Sequence, residues 1–146
     1  MTYQSDLYEW TKEQAYALRR RGSNALDWDN LAEEIESLGT SQRSEIRSRL
    51  KVLLIHLLKW RHQPELQCGS WRGAIREARN QIDDLLEDSP SLRAYPAECL
   101  AKAYARARAK ALDEAGLLRV PEACPWTIED VLAEDFLPSR AKVGAA

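Results

Sequence analysis

The sequence predicts an all-α protein, a single compact helical bundle of about five main helices followed by a short C-terminal helix. Three observations predict this fold class. Apolar residues recur three and four positions apart over most of the chain. Capping residues, glycines and prolines bracket these stretches, as they do at helix ends. With 45% hydrophobic and 30% charged residues among 146, the composition is that of one globular domain. We therefore expect one helical domain over residues 1–138 and a frayed tail over residues 139–146.

The first half of the chain shows three helical patterns. Thr11 followed by Gln14 fits a capping box at the start of the first helix. Asp27 is a good N-cap for the second helix, and Gly39 is expected to end it. Beyond Leu50 the third pattern is apolar almost all round, which is typical of a central helix. These three helices are predicted over residues 12–21, 28–38 and 41–61.

The second half contains two further long patterns and a short one. Ser70 is expected to cap the fourth helix, and Gly116 to end the fifth. Within the fifth, residues 101–111 carry alanine at every odd position, an alternation that suggests a strand. Because alanine is a strong helix former and a poor strand former, we predict a helix there. These helices are predicted over residues 71–87, 96–115 and 128–134.

Composition and residue counts exclude several classes of function. The net charge of −2 argues against a protein that binds nucleic acid over most of its surface. Three cysteines without a CxxC pair predict free thiols, and the lack of a signal peptide or apolar span predicts a cytoplasmic protein without a membrane partner. The two histidines, His56 and His62, point about 240° apart on a helix, so no metal site is predicted. No nucleotide-binding or hydrolase motif is present, and no cofactor is predicted.

The sequence also resembles a known family. The stretches that carry the resemblance keep the family's order along nearly the whole chain: LYEW (7–10), DNLAEEIESLG (29–39), RLKVLLIHLLKW (49–60), QPE (63–65), SWRGAIREAR (70–79), DSPSL (88–92) and CPWTIEDVLAEDFLP (124–138). The chain is similar to the uncharacterised bacterial family catalogued as domain of unknown function twenty-nine. This resemblance implies a small, soluble, all-helical bacterial protein and brings no activity with it.

One group of polar residues is a candidate for catalysis. If the second and third helices pack antiparallel, the carboxylate of Glu34 reaches His56 or Lys59. The functional interpretation is a carboxylate that holds an imidazole as general base in a small hydrolase or nuclease. The structural interpretation is a buried histidine and lysine that one glutamate satisfies. A Cys–His nucleophile from Cys68 and His62 is a weaker alternative, because no third group is seen to orient it.

Two basic stripes are candidates for nucleic-acid binding. Residues 43–79 carry nine basic and three acidic side chains. Within the fourth and fifth helices, basic residues recur at the spacing of one helix face, and two such stripes on one side would follow a phosphate backbone. The alternative is ordinary solvated helix faces with weak ion pairs. The stripes consist of Arg72, Arg76 and Arg79, and of Lys102, Arg106 and Lys110.

The tryptophans have two interpretations. Trp28, Trp60 and Trp71 lie on apolar faces and are expected to anchor the core, although an exposed tryptophan is also a common anchor for a partner. Because catalytic signatures are missing, our leading hypothesis is an interaction or regulatory protein without catalysis of its own. A protein partner, a nucleic acid, a monomer and a homodimer all remain open.

Overall fold

The computed structural model describes residues 3–139, and these residues confirm the all-α fold class. They contain four helices of 13 residues or more and one short helix, and they contain no strand. The helices are α1 (Leu7–Arg19), α2 (Trp28–His62), α3 (Gly69–Asp88), α4 (Tyr95–Ala115) and α5 (Ile128–Leu132). Of the predicted frayed tail, all but Ser139 lies outside the described residues.

The predicted boundary at Gly39 is wrong, because α2 is one continuous helix of 35 residues. A single helical glycine costs only about 1 kcal/mol relative to alanine. A break would instead leave backbone groups without partners on both sides of it. No proline follows Gly39 to impose a stop, and the hydroxyl of Thr40 donates to the carbonyl of Glu36 one turn earlier. The two predicted helices are therefore joined.

The chain divides into two compact units, Met1–Ser41 and Gln42–Ala146. In the first unit, α1 begins five residues earlier than predicted, because the Asp6 carboxylate accepts from the Glu9 amide at 2.9 Å and caps the helix. Gln14 forms no capping box. Its buried side chain accepts from the Asp27 amide at 2.8 Å, and Trp10 is buried with its indole N–H donating to the Asp27 carboxylate at 3.1 Å.

The second unit is built around one hydrophobic core. Buried side chains from α2, α3, α4 and the segment that leads into α5 form a single cluster. As predicted, α2 is buried on nearly every side over about two turns near its C-terminus, from Leu53 to Trp60. The small-residue face of α4 is also buried, at Ala103, Ala107 and Ala111, where it allows close approach of the backbone.

The ends of the remaining helices agree closely with the predictions. Gly116 follows α4 with φ 63°, the left-handed conformation that glycine adopts without strain. The helix α3 begins at Gly69, so the prediction that Ser70 caps it is wrong: Ser70 lies in the first turn, and Cys68 occupies the N-cap position without a side-chain capping bond. The hydroxyl of Thr127 caps α5 by accepting from the Asp130 amide at 3.2 Å.

Candidate functional sites

The predicted catalytic residues Glu34, His56 and Lys59 each have a separate neighbour. The Glu34 carboxylate accepts a hydrogen bond from the hydroxyl of Tyr3. The Nδ1 atom of His56 lies 2.8 Å from the carbonyl oxygen of Val52, one turn earlier in the same helix. The ammonium of Lys59 lies 5.6 Å from the centre of the Trp71 ring. Because α2 is continuous, the antiparallel packing that was to join Glu34 to His56 is absent, and a catalytic role for these residues stays a prediction.

In the second catalytic alternative, Cys68 and His62 form no hydrogen bond with each other in the described part of the chain. The thiol of Cys68 is free and exposed, directly before α3. The Nε2 atom of His62 is buried and has no hydrogen-bond partner. Burial lowers the pKa of this imidazole, and the charge of Arg61 adds to the shift. The His62 imidazole therefore lacks the hydrogen-bond partner that would orient a catalytic base, and its surroundings are typical of a side chain that only packs against its neighbours.

The first basic stripe does not form a continuous surface, because Arg79 is buried. Its guanidinium donates to three backbone carbonyls near the C-terminus, and the distances are 2.9 Å to Val131, 3.1 Å to Glu134 and 2.7 Å to Phe136. Burial lowers the pKa of this guanidinium, yet the group remains fully charged near neutral pH. Arg79 is therefore a structural clamp on the last described segment.

The other two members of that stripe are exposed. The guanidinium of Arg72 lies 5.4 Å from the centre of the Trp60 ring, a cation–π contact. Arg76 is one turn further along α3 and faces solvent. With Arg79 turned inward, α3 offers two exposed basic side chains in place of the predicted three.

The second basic stripe is split between two environments. Lys110 is paired with Glu114, one turn later in α4, at 3.8 Å. Lys102 and Arg106 are also exposed, but they line a small cavity between α4 and α2 within the second unit. The stripe predicted from one helix therefore contributes only part of a site that two helices form.

We call this cavity the basic pocket. It has a volume of about 120 Å³ and combines four cationic side chains with two hydroxyl groups. The contribution of α2 to this pocket was not predicted, although the pocket-lining residues of α2 recur three and four positions apart on one helix face. The pocket is lined by Ser44, Arg47, Ser48 and Lys51 of α2 and by Lys102, Ala103 and Arg106 of α4.

A second surface feature is an exposed apolar stripe on the first part of α2, which consists of Trp28, Ile35 and Leu38. Their exposed fractions are 63%, 67% and 67%, so the prediction that Trp28 anchors the core is wrong. At 100° per residue, the three side chains lie within about 80° of one another around the helix. We refer to these three residues as the apolar stripe.

The described residues offer no site for a metal ion, since no three of their His, Cys, Asp or Glu side chains are close enough to bind one. Nor does any helix among them have the length and apolar character needed to cross a membrane. The three cysteines are free, as predicted. The described surface carries exposed apolar side chains in the first unit and a cluster of cationic side chains in the second.

A comparison with protein families finds one family model that spans the helices described above. The family model described as Domain of unknown function DUF29 matches residues 2–137, nearly the whole chain. The chain belongs to this family. The DUF29 match covers every helix described above, including the basic pocket and the apolar stripe. No curated protein and no solved structure matches the chain.

Proposed function

We propose that this DUF29 protein is a cytoplasmic interaction protein that binds a partner protein through the apolar stripe of α2. One observation carries the proposal: a tryptophan, an isoleucine and a leucine share one helix face and are each about two-thirds exposed. Exposed apolar groups that cluster in this way mark interaction sites, and tryptophan is among the residues that contribute most to binding energy.

The first unit leaves the side chains of the apolar stripe largely exposed, although Leu31, between Ile35 and Leu38 around the helix, is half-buried. The hydroxyl of Tyr3 contacts α2 at Glu34, which lies about 100° around the helix from Ile35. Trp10 is buried and contacts Asp27, directly before the helix begins. The packing of the first unit therefore engages a neighbouring side of α2 and leaves Trp28 and Ile35 exposed.

The charges beside the stripe indicate the chemistry of the partner. Residues 22–38 contain five acidic side chains and no basic one. Glu36 and Asp29 lie along one edge of the stripe, and Glu34 lies along the other. An apolar surface between acidic edges is complementary to a cationic amphipathic helix, which would place its leucines on the stripe and its lysines beside the carboxylates.

The test uses a synthetic helical peptide of leucine, alanine and lysine as the probe. We expect it to bind the wild-type chain, and a matched peptide with glutamate in place of lysine to bind at least tenfold more weakly. We expect Trp28→Ala to weaken binding of the lysine peptide by about tenfold or more. Isothermal titration calorimetry measures each dissociation constant.

Tyr16→Ala is the control variant. Tyr16 is an aromatic residue of the same unit, is 62% exposed, and lies on α1 outside the stripe. We expect it to change binding less than twofold. Equal losses in the Trp28 and Tyr16 variants, equal binding of both peptides, or no binding would contradict the proposal. So would a wild-type dimer that Trp28→Ala dissociates, because the stripe would then bind a second copy of the chain.

A further inference from the structure

We propose that the basic pocket of the second unit binds the phosphate group of a small phosphorylated molecule. The pocket lies between the middle of α2 and the middle of α4, and its lining combines four cations with two hydroxyl donors and no carboxylate. Oxygen-rich anions are the ligands that such a donor set recognises, since guanidinium, ammonium and hydroxyl groups all donate to phosphate oxygens.

None of the four cations has a counter-charge within the described part of the chain. No carboxylate lies within ion-pair distance of their side chains there, which are those of Arg47, Lys51, Lys102 and Arg106. By contrast, two basic residues just outside the pocket are paired, Arg49 with Glu45 at 3.7 Å and Lys110 with Glu114 at 3.8 Å. Like charges held close together repel one another, and a bound anion removes that repulsion.

One of these cations, Arg47, is held in place by an aromatic neighbour. The guanidinium of Arg47 donates to the hydroxyl of Tyr95, the first residue of α4. The guanidinium of Arg43 lies 5.3 Å from the centre of the same ring. Arg47 therefore enters the pocket with part of its conformational freedom already lost, which reduces the entropic cost of binding a ligand. The remaining donors project from two helices, which position side chains more reproducibly than loops do.

The size of the pocket favours a single phosphate group. Its volume of about 120 Å³ equals that of about four water molecules in the liquid, at about 30 Å³ each. A tetrahedral phosphate fits this space, whereas pockets that enclose a whole drug-sized ligand measure about 300 Å³ or more. The organic part of the ligand would therefore extend out of the pocket toward solvent.

The surroundings favour a small molecule over a nucleic acid. A nucleic acid requires cations that follow successive phosphates along its backbone. The stripe on α3 is interrupted because Arg79 points into the protein. On α4 the next basic residue of the stripe, Lys110, is paired with Glu114. The cations that remain together are those of the pocket, so the geometry fits one discrete anion.

Calorimetric titration with inorganic phosphate and with pyrophosphate, at low ionic strength, tests the proposal. We expect both anions to bind. We expect the double variant Lys102→Gln/Arg106→Gln to bind them at least tenfold more weakly, because it removes two of the four charges. Both side chains are exposed and form no ion pair within the described part of the chain, so circular dichroism should be unchanged. Lys51→Gln, which changes only one residue of α2, should weaken binding several-fold.

The matched control is Arg76→Gln/Lys110→Gln, which removes the same number of charges from exposed positions outside the pocket. We expect it to change anion binding less than twofold. Absence of phosphate and pyrophosphate binding, or an equal loss in the control, would overturn the proposal. A single-stranded oligonucleotide that binds more tightly than pyrophosphate and loses affinity in both double variants would overturn it in favour of nucleic-acid binding.

Discussion

Replacing Arg79 with alanine should release the C-terminal segment from the core of the second unit. Arg79 is 5% exposed, and its guanidinium donates to the backbone carbonyls of Val131, Glu134 and Phe136. The alanine variant would remove all three bonds and leave a space where the side chain lay. The segment after α4 would then lose its main polar attachment to α3.

The expected loss of stability follows from the three bonds. A hydrogen bond from a charged donor contributes about 1.5–3 kcal/mol. Only the bond to Val131 is fully buried, whereas those to Glu134 and Phe136 are partly accessible to water, which can replace the lost donors there. We therefore expect the free energy of unfolding to fall by about 3–4 kcal/mol, below the sum of the three bonds. Domains are stable by only about 5–15 kcal/mol in total, so this loss is large.

Urea denaturation, followed by circular dichroism, measures this change. The control is Arg76→Ala, which removes an exposed arginine from the same helix and should alter the free energy of unfolding by less than about 0.5 kcal/mol. Arg79→Lys keeps the charge but lacks the planar fork that reaches three carbonyls, so we expect it to recover less than half of the loss. An equal fall in the free energy of unfolding in the Arg79→Ala and Arg76→Ala variants would refute the role of Arg79 in holding the C-terminal segment.

Two further perturbations test local features of the second unit. Burial raises the pKa of Tyr104 to about 12, and its hydroxyl donates to the carbonyl of Pro121 at 2.7 Å. The unfolded chain loses this proton near pH 10 and the folded chain near pH 12, so wild-type stability relative to Tyr104→Phe should fall by up to about 2–3 kcal/mol as pH rises through that window. A pH-independent difference in urea denaturation would contradict this. Gly116→Ala should destabilise by about 1 kcal/mol because its φ is 63°, whereas Gly73→Ala, inside α3 with open space at the added Cβ, should stabilise by a similar amount. Loss of stability in both glycine variants would show that the backbone conformation of Gly116 is not the cause of the loss in Gly116→Ala.

Much of the secondary structure could be predicted because it depends on neighbours along the chain. The alanine-rich part of α4 is helical despite its strand-like alternation, since the backbone preference of alanine outweighs the alternation. Gly116 ends that helix as expected, because a left-handed residue there requires glycine. The predicted helix end at Gly39 was wrong, because a glycine without a following proline destabilises a helix too little to end it when the residues on both sides are helical.

The candidate sites could be predicted only in part. Lys102 and Arg106 are recognisable as a basic helix face in the sequence, but their partners Arg47 and Lys51 come from a helix about 50 residues earlier. Nothing in the spacing of Arg72, Arg76 and Arg79 distinguishes the member that is buried. The Glu34–His56 hypothesis required a turn between two helices, and the continuous helix removes its geometric basis.

The sequence by itself determined the helical class, most helix ends and the apolar character of the later part of α2. Helix propensity, capping and periodicity determine these features, and all three depend on residues that are close in the chain. Only the tertiary structure decided which faces are covered. Arg79 lies inside because three distant carbonyls accept hydrogen bonds from its guanidinium, and Trp28 lies outside because the first unit packs on another side of α2. The physical reason is that burial is a property of packed surfaces, and a helix with a broad apolar or basic face does not specify which part of that face its neighbours will cover.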